Sequence, residues 1–172
     1  MRTEQERKDL QKISDFADKS LLIVDDDNPL RDRLARALEK KGFQVMQAES
    51  VDKGINLTQN SPPAFAVVDL RLNDGNGLEV VKEIRKNKQD SRIVMLTGYG
   101  NIPTAVAAVK AGAIDYIPKP ADADDVESAL LALPGSKAVP PEIQCLLTEL
   151  NGSTFIEFLN CAIGTFRKQL VD

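Results

Sequence analysis

Residues 21–27 read LLIVDDD, in which four large apolar residues are followed at once by three acids. A short apolar run bounded by polar residues is typical of a strand that is buried on both faces of a sheet. Similar runs recur at intervals as far as residue 117. The predicted strands are LLIVD at 21–25, FQVMQA at 43–48, AFAVVD at 64–69, RIVMLT at 92–97 and IDYI at 114–117.

Helical patterns separate these predicted strands. In the first, leucines recur every four residues from Leu30 to Leu38, which places them on one helix face. Asn28 is the expected N-cap of that helix, with Pro29 at the first helical position. The alternation of strands and helices predicts an α/β fold, a doubly wound parallel sheet of five strands with helices on both faces. The predicted helices lie near 29–41, 51–59, 77–87, 102–112 and 122–133.

Composition narrows the class of protein. The chain has 172 residues, 28% charged and 42% hydrophobic, which fits one globular domain with some additional chain. The net charge of −4 argues against non-specific nucleic-acid binding. Histidine is absent, which excludes histidine acid–base catalysis and histidine metal ligands. The two cysteines, Cys145 and Cys161, have neither zinc-site spacing nor the density of a disulfide scaffold.

The ends of the chain differ from its centre. Residues 1–19 are polar and show no repeated apolar face beyond Leu10, Ile13 and Phe16, so we interpret them as a solvated N-terminal extension of the domain at 20–133. Their first residues, MRTEQERKDLQ, are charged and do not form a secretory signal. No apolar run approaches the ~20 residues of a membrane span. We therefore expect a cytoplasmic protein without a membrane partner.

Polar side chains stand where the predicted strands end. In an open α/β sheet the carboxyl ends of the parallel strands meet at one edge, which is where ligands bind. We therefore expect these side chains to form one site. They are Asp25, Asp26 and Asp27 after the first strand, Asp69 at the end of the third, Thr97 at the end of the fourth and Lys119 just past the fifth.

The chemistry of that set points to a phosphoryl group. Several carboxylates repel one another unless a cation lies among them, and oxygen ligands without histidine favour Mg²⁺. Beside such an ion Asp69 could attack a phosphoryl group, as carboxylates do when they form aspartyl phosphates. Lys119 would neutralise the charge on the phosphoryl oxygens, and Thr97 would donate a hydrogen bond to one of them.

Four strings in this chain occur in a fixed order: LLIVDDD, VVDLRLNDGNGLEVV, IVMLTGYG and DYIPKP. In that order and at that spacing they resemble the receiver domain of bacterial two-component response regulators over roughly residues 20–133. The resemblance implies a CheY-like sheet of strand order 2-1-3-4-5. It also implies that Asp69 is the phosphoacceptor, Lys119 the phosphate-binding lysine, Thr97 the switch hydroxyl and Tyr116 the switch aromatic.

The resemblance further implies how a magnesium ion is bound. Its ligands would be Asp26, Asp69 and the main-chain carbonyl of Arg71, with Asp25 acting through water. The peptide bond between Lys119 and the proline that follows it would be cis. The sequence departs from the commonest receiver pattern at residue 73, where asparagine replaces proline. We also interpret the Arg71 side chain as a group that limits water access and so tunes the lifetime of the phosphoryl group.

The implied function is a signalling switch. A sensor histidine kinase would phosphorylate Asp69, and the surface formed by the fourth helix, fifth strand and fifth helix would change shape. That surface is also where the resemblance places a homodimer. Such a protein is a phosphoacceptor that catalyses its own phosphotransfer and dephosphorylation, not a dedicated enzyme.

Within that family the chain is particularly similar to the redox-responsive regulators known as RegA, PrrA or ActR, through DLRLNDGNGLEVV and LTGYGNIPTAVAAVKAGAIDYIPKPADADDV. Those proteins are transcription regulators with a C-terminal helix-turn-helix of the Fis type. A linker at 134–142 is similar to theirs, but residues 143–172 are not. These residues contain only two bases, Arg167 and Lys168, whereas a DNA-reading domain should be basic. DNA binding is therefore not expected of this chain.

The codons that residues 143–172 require suggest an origin for them. Under one choice of synonymous codons, residues 142–149 are encoded by GAA ATC CAA TGT CTG CTG ACC GAG. One A inserted after GAA changes the reading to ENPMSADR, and the remaining residues become VKWEHIHRVFELCDRNVSETARRL. This sequence resembles the Fis-type effector almost throughout. The observed residues largely dictate the second and third bases of each recovered codon, so only the first base is a free synonymous choice. We hypothesise that residues 143–172 are an out-of-frame remnant of a DNA-binding domain.

Two alternatives stay open. The pattern Asp25-x-Asp27 resembles the nucleophile motif of haloacid-dehalogenase-type phosphatases, which would place the nucleophile at Asp25 and not at Asp69. This chain lacks the cap insertion typical of that class. The second alternative is a stand-alone receiver whose tail is a genuine short interaction element.

Overall fold

The structure is a computed structural model that describes residues 12–98, 113 and 115–132. Several predicted segments lie outside the described residues. They are the start of the chain, the predicted fourth helix at 102–112, the linker at 134–142 and the tail at 143–172. Among the described residues, none of the helices combines the length and the apolar character that a membrane span requires.

The described residues form a parallel sheet with helices on both faces. The strands are β1 Ser20–Val24, β2 Gln44–Ala48, β3 Phe65–Asp69, β4 Arg71–Leu72, β5 Gly75–Asn76, β6 Arg92–Thr97 and β7 Asp115–Pro118. The α-helices are α1 Asn28–Lys40, α2 Val51–Asn60, α3 Gly77–Asn87 and α4 Ala123–Leu131, and a 3₁₀ turn spans Ile13–Asp15.

The main sheet has the order β2-β1-β3-β6-β7, and all its strands are parallel. This order confirms the predicted 2-1-3-4-5 arrangement. The strands β4 and β5 were not predicted, and they form a separate antiparallel ribbon directly after β3. Because β1 and β3 are adjacent, the acids that follow them lie at one edge of the sheet.

Each face of the sheet carries its own apolar cluster. Strand β1 contributes to both, because successive side chains of a strand point to opposite faces. Leu21 and Ile23 pack with α1 and α4 on one face, and Leu22 and Val24 pack with α2 and α3 on the other. All four side chains are fully buried. The sheet is therefore covered on both faces, as its nearly continuous apolar strands predict.

Helix α1 begins one residue earlier than predicted. The Asp27 carboxylate, not the Asn28 side chain, is the N-cap, and it accepts a hydrogen bond from the Leu30 amide at 3.0 Å. Asn28 is already the first helical residue. The prediction of an Asn28 cap is therefore wrong, because the extended backbone needed at a cap occurs at Asp27.

The N-terminal extension is not wholly solvated. Ile13 and Phe16 lie three residues apart across the 3₁₀ turn and pack against the cluster of α1 and α4. The Phe16 ring meets the buried Phe65 ring edge to face at 5.1 Å between centroids, and the Arg92 guanidinium lies 4.9 Å above Phe16. The interpretation of residues 1–19 as solvated is wrong for these two side chains.

Candidate functional site

The structure brings the predicted residues together at the carboxyl edge of the sheet. Asp25 follows β1, Asp69 and Thr97 are the last residues of β3 and β6, and Lys119 follows β7. The side chains of Asp25, Asp69 and Thr97 belong to residues that are 0%, 5% and 2% exposed. Polar side chains at such depth are costly unless they are paired, which makes this edge the candidate functional site.

Lys119 connects two of the acids. Its ammonium nitrogen lies 2.9 Å from Oδ2 of Asp69 and 2.9 Å from Oδ2 of Asp25. Its backbone amide donates to the Thr97 carbonyl at 2.7 Å, which ties the loop after β7 to the end of β6. The peptide bond between Lys119 and Pro120 is cis, as predicted.

The charges at this site do not balance. Burial raises the pKa of Asp69, although its hydrogen bond with Lys119 acts in the opposite direction. Burial disfavours the Lys119 ammonium, but its contacts with Asp69 and Asp25 outweigh that effect and raise its pKa. Two carboxylates therefore share one ammonium in a poorly solvated place, and a further cation or an anionic group bound through one would be stabilised there.

Three carboxylates are arranged as ligands of a divalent cation. One oxygen each from Asp25, Asp26 and Asp69 lie within 4.8 Å of one another. Oδ2 of Asp25 is buried, and it forms an ion pair with the Lys119 ammonium without an aligned hydrogen bond. An all-oxygen set fits Mg²⁺ or Ca²⁺. Asp27, the third acid of the run, caps α1 instead.

Two residues that sequence reasoning missed support the acidic loop. Arg31 donates from Nη1 to the Asp25 carbonyl at 2.7 Å and from Nε to Oε1 of Gln47 at 3.2 Å. The Asp27 amide donates to Oδ1 of Asp25 at 2.8 Å, which fixes the orientation of that carboxylate. An arginine in the helix that follows the acids was the available signal, but nothing in the sequence pairs it with a glutamine on β2.

The segment after Asp69 lies close to its carboxylate. The Arg71 amide donates to Oδ1 of Asp69 at 3.3 Å, while the Arg71 side chain is exposed. A Cβ at position 77 would collide with the Asp69 carbonyl oxygen, so Gly77 lets α3 begin directly against the end of β3. The Arg71 carbonyl as a metal ligand stays a prediction.

Tyr116 lies on β7 beside β6, where it pairs with Met95. It is half-buried and packs against the apolar cluster on the face of α2 and α3. Its role as the switch aromatic, and that of Thr97 as the switch hydroxyl, stay predictions.

Comparison with known proteins agrees with this geometry. The family model "Response regulator receiver domain" matches residues 21–131. The chain is 60% identical over 126 residues to the photosynthetic apparatus regulatory protein RegA of Rhodobacter capsulatus, which covers 73% of this chain and 68% of that protein. It is 58% identical over 125 residues to the acid tolerance regulatory protein ActR of Rhizobium meliloti, covering 73% and 64%. The matched stretch thus spans about two thirds of these relatives, and the predicted resemblance to RegA and ActR is confirmed.

Solved structures show the same fold. A response regulator from Burkholderia pseudomallei, with a phosphorylated aspartic acid, a calcium ion and citrate, aligns with a TM-score of 0.63 at 35% identity. The alignment covers 77% of this chain and 72% of that one. A CheY-like receiver domain protein from Methanospirillum hungatei JF-1 aligns with a TM-score of 0.60 at 32% identity, covering 63% and 87%. This chain belongs to the response regulator receiver domain family of two-component systems.

Proposed function

We propose that Asp69 is phosphorylated by a sensor histidine kinase in the presence of Mg²⁺, and that this modification switches the output surface of the domain. The observation that carries the proposal is the Lys119 ammonium, 2.9 Å from Asp69 and from Asp25 among three converging carboxylates. A cytoplasmic location agrees with such a kinase partner.

The covalent step transfers one phosphoryl group. An oxygen of the Asp69 carboxylate attacks the phosphorus of a phosphohistidine, so that a P–O bond forms while the P–N bond breaks. The imidazole leaves and takes up a proton from solvent. Lys119 contacts the incoming phosphoryl oxygens and lowers the energy of their charge. Hydrolysis of the acyl phosphate by water returns the carboxylate and inorganic phosphate, so the domain needs no separate phosphatase.

The metal ion supplies charge neutralisation at the phosphoryl oxygens when it is bound. We assign its direct ligands to Asp26, Asp69 and the Arg71 carbonyl, with Asp25 acting through water. The burial of Asp25 and Asp69 supports this assignment, because it keeps the carboxylates ordered before the ion arrives.

We assign the switch to Thr97 and Tyr116. The Thr97 hydroxyl would move toward the new phosphoryl group, and Tyr116 would turn inward behind it. Such a change is a population shift driven by charge-assisted hydrogen bonds. The affected surface would include β7 and α4, and it would serve a homodimer or a partner.

Phosphorylation can be tested by incubating the full chain with a small-molecule phosphodonor and Mg²⁺ and measuring its intact mass. We expect a gain of one phosphoryl group that is abolished by Asp69→Asn and retained by Asp90→Asn, which changes an exposed acid elsewhere. If Asp69→Asn gains the group as the wild type does while Asp25→Asn does not, the nucleophile is Asp25 and the phosphatase alternative is correct.

We further propose that residues 143–172 are an out-of-frame remnant of a Fis-type DNA-binding domain. The match covers 68% of RegA and 64% of ActR, so each relative has a further stretch outside the aligned region, which supports this reading. The test is the coding DNA across codons 140–172 and beyond the stop. A one-base restoration that opens a helix-turn-helix frame, with DNA binding regained by the repaired protein, is the expected result. A closed or unrelated frame would make the tail a genuine interaction element.

A further inference from the structure

We propose that Asp74 is a positioning residue that fixes the Arg71 backbone beside Asp69 and thereby sets the affinity of the acidic site for Mg²⁺. Asp74 lies at the turn of the hairpin formed by β4 and β5, residues 71–76, which we call the 71–76 hairpin. The inference rests on the proposed function of the site and adds a residue outside the ligand set.

Asp74 connects the 71–76 hairpin to α2, a helix that lies far from it in the sequence. Its Oδ1 accepts the Val51 amide at 2.9 Å and its Oδ2 accepts the Asp52 amide at 3.2 Å. These two amides belong to the first turn of α2 and have no partner within the helix. The bond from Val51 and that from Asp52 lower the pKa of Asp74, so the carboxylate is charged at neutral pH. The hairpin therefore has a charged anchor on an element more than 20 residues away.

Packing reinforces the same attachment. The hairpin is closed by the pairs Arg71 with Asn76 and Leu72 with Gly75, and Leu72 is buried in the apolar cluster below it. A Cβ on Gly75 would lie 3.4 Å from a methyl group of Val51, so the turn is in contact with the start of α2. The hairpin thus has one defined position relative to that helix.

The other end of the hairpin leads to the acceptor. The Arg71 amide donates to Oδ1 of Asp69, and its carbonyl is the one proposed metal ligand that is not a carboxylate. Gly77 donates its amide to the Leu70 carbonyl at 2.9 Å and closes the segment against β3. Because Arg71 is the only proposed ligand within the hairpin, loss of the Asp74 anchor should loosen that ligand and leave the carboxylates in place.

Helix α2 offers a matched control. Ser50 Oγ accepts the Lys53 amide at 3.2 Å and so satisfies the third amide of the same first turn. Its hydrogen bond stays within the start of the helix and does not reach the 71–76 hairpin. Ser50→Ala and Asp74→Ala should therefore cost α2 similar capping, while only Asp74→Ala releases the hairpin.

The test measures Mg²⁺ affinity of the full chain by isothermal titration calorimetry, together with the Tm without metal. Both alanine variants should lower the Tm by about 3–6 °C, as expected for a lost helix cap. Asp74→Ala should raise the Kd for Mg²⁺ by about tenfold. This is the low end of the loss of affinity expected when a residue that supports metal ligands is removed. Ser50→Ala should leave the Kd unchanged, and Asp74→Asn, which keeps one acceptor oxygen, should recover most of it.

The inference would be overturned if Asp74→Ala bound Mg²⁺ with the same Kd as the wild type. It would also be overturned if Ser50→Ala lost as much Mg²⁺ affinity as Asp74→Ala. Should Asp74→Ala fail to fold, Asp74→Gly, which also lacks both acceptor oxygens and suits a turn, is compared with Ser50→Ala in its place, with the same roughly tenfold rise in Kd expected. Failure of the proposed function looks different, because the wild-type chain itself would then bind no Mg²⁺ or gain no phosphoryl group at Asp69.

Discussion

Burial makes the charge on Asp69 unfavourable for the stability of the fold. Its pKa is raised because burial opposes its charge, even with Lys119 beside it. A carboxyl group with a folded-state pKa above its unfolded value stabilises the fold below the unfolded pKa of about 3.8, and this contribution is lost as the pH rises through the folded pKa. Ionisation of Asp69 is therefore less favourable in the folded protein than in the unfolded chain.

We predict that Asp69→Asn stabilises the metal-free protein at pH 7 by about 1 kcal/mol, since it removes one of two carboxylates that share an ammonium. The gain should shrink as the pH falls through the raised pKa of Asp69, because the wild-type carboxyl then becomes protonated. Urea unfolding in the presence of a chelator measures the gain in the free energy of unfolding at pH 7 and its change with pH. A loss of stability in Asp69→Asn, with no change in the exposed control Asp90→Asn, would contradict the argument.

Gly77 lies so close to the Asp69 carbonyl that its position has no room for a Cβ atom. We predict that Gly77→Ala lowers the free energy of unfolding by about 3 kcal/mol, because the new methyl group meets the Asp69 carbonyl and α3 must shift. The matched variant Gly75→Ala places a methyl group at ordinary contact distance, 3.4 Å from Val51. It should change stability by less than about 1 kcal/mol, and equal losses in the two variants would disprove the steric explanation.

At the scale of elements, the segment before β1 is attached to the domain by charge as well as by packing. Asp18 accepts hydrogen bonds from the amide and hydroxyl of Ser20, and Lys88 at the end of α3 lies 2.6 Å from its other oxygen. The Lys88 and Ser20 contacts lower the pKa of Asp18 to about 2. Because the Asp18 side chain is 47% exposed, solvent screening reduces what this pair contributes.

We predict that Asp18→Asn lowers the free energy of unfolding by about 0.5 kcal/mol at pH 7, the range of exposed ion pairs. With a depressed folded-state pKa, the contribution is present above the unfolded pKa of 3.8 and is lost as the pH falls through about 2. Urea unfolding at several pH values below 5 measures this window. Lys88→Gln should have the same effect, and the double variant should be no worse than either single one.

Helix α1 is joined to α4 in a similar way. Lys41, which follows α1, lies 2.7 Å from carboxylates of Asp124 and of Glu127 on α4. Hydrogen bonds to these two acids raise the pKa of Lys41. The contact connects two helices that cover the same face of the sheet, so the position of α4 is set relative to α1 as well as to β6 and β7.

For the whole molecule, the central sheet makes the two apolar clusters one cooperative unit. Neighbouring residues of β1, such as Ile23 and Val24, belong to opposite clusters. A loss of packing on one face therefore weakens the strand on which the other face also depends. The domain should unfold in a single transition, although its described apolar residues form two clusters.

We predict that Leu38→Ala lowers the free energy of unfolding by about 3 kcal/mol and Ile84→Val by about 1 kcal/mol. Both side chains are fully buried, and they lie on opposite faces of the sheet. The double variant should lose the sum within about 0.5 kcal/mol. Circular dichroism and tyrosine fluorescence should report the same urea midpoint, whereas two separate midpoints would show that the faces unfold independently.

The sequence by itself determined the class of fold and the place of the candidate site. Strand-length apolar runs between amphipathic helices favour a parallel sheet, and the carboxyl ends of parallel strands meet at one edge. That rule placed Asp25, Asp69, Thr97 and Lys119 together, because it depends only on strand order and direction.

Only the tertiary structure decided what each neighbouring residue does. Asp27 is as acidic as Asp26 but caps a helix, since a cap depends on local backbone angles that composition does not specify. Phe16 packs on Phe65 and Asp74 binds α2 across long stretches of chain, and no periodic pattern encodes such pairs. The ion pairs of Lys119 with Asp25 and Asp69 likewise depend on distances between separate strands. The directions of the pKa shifts at the site therefore follow only from the folded structure.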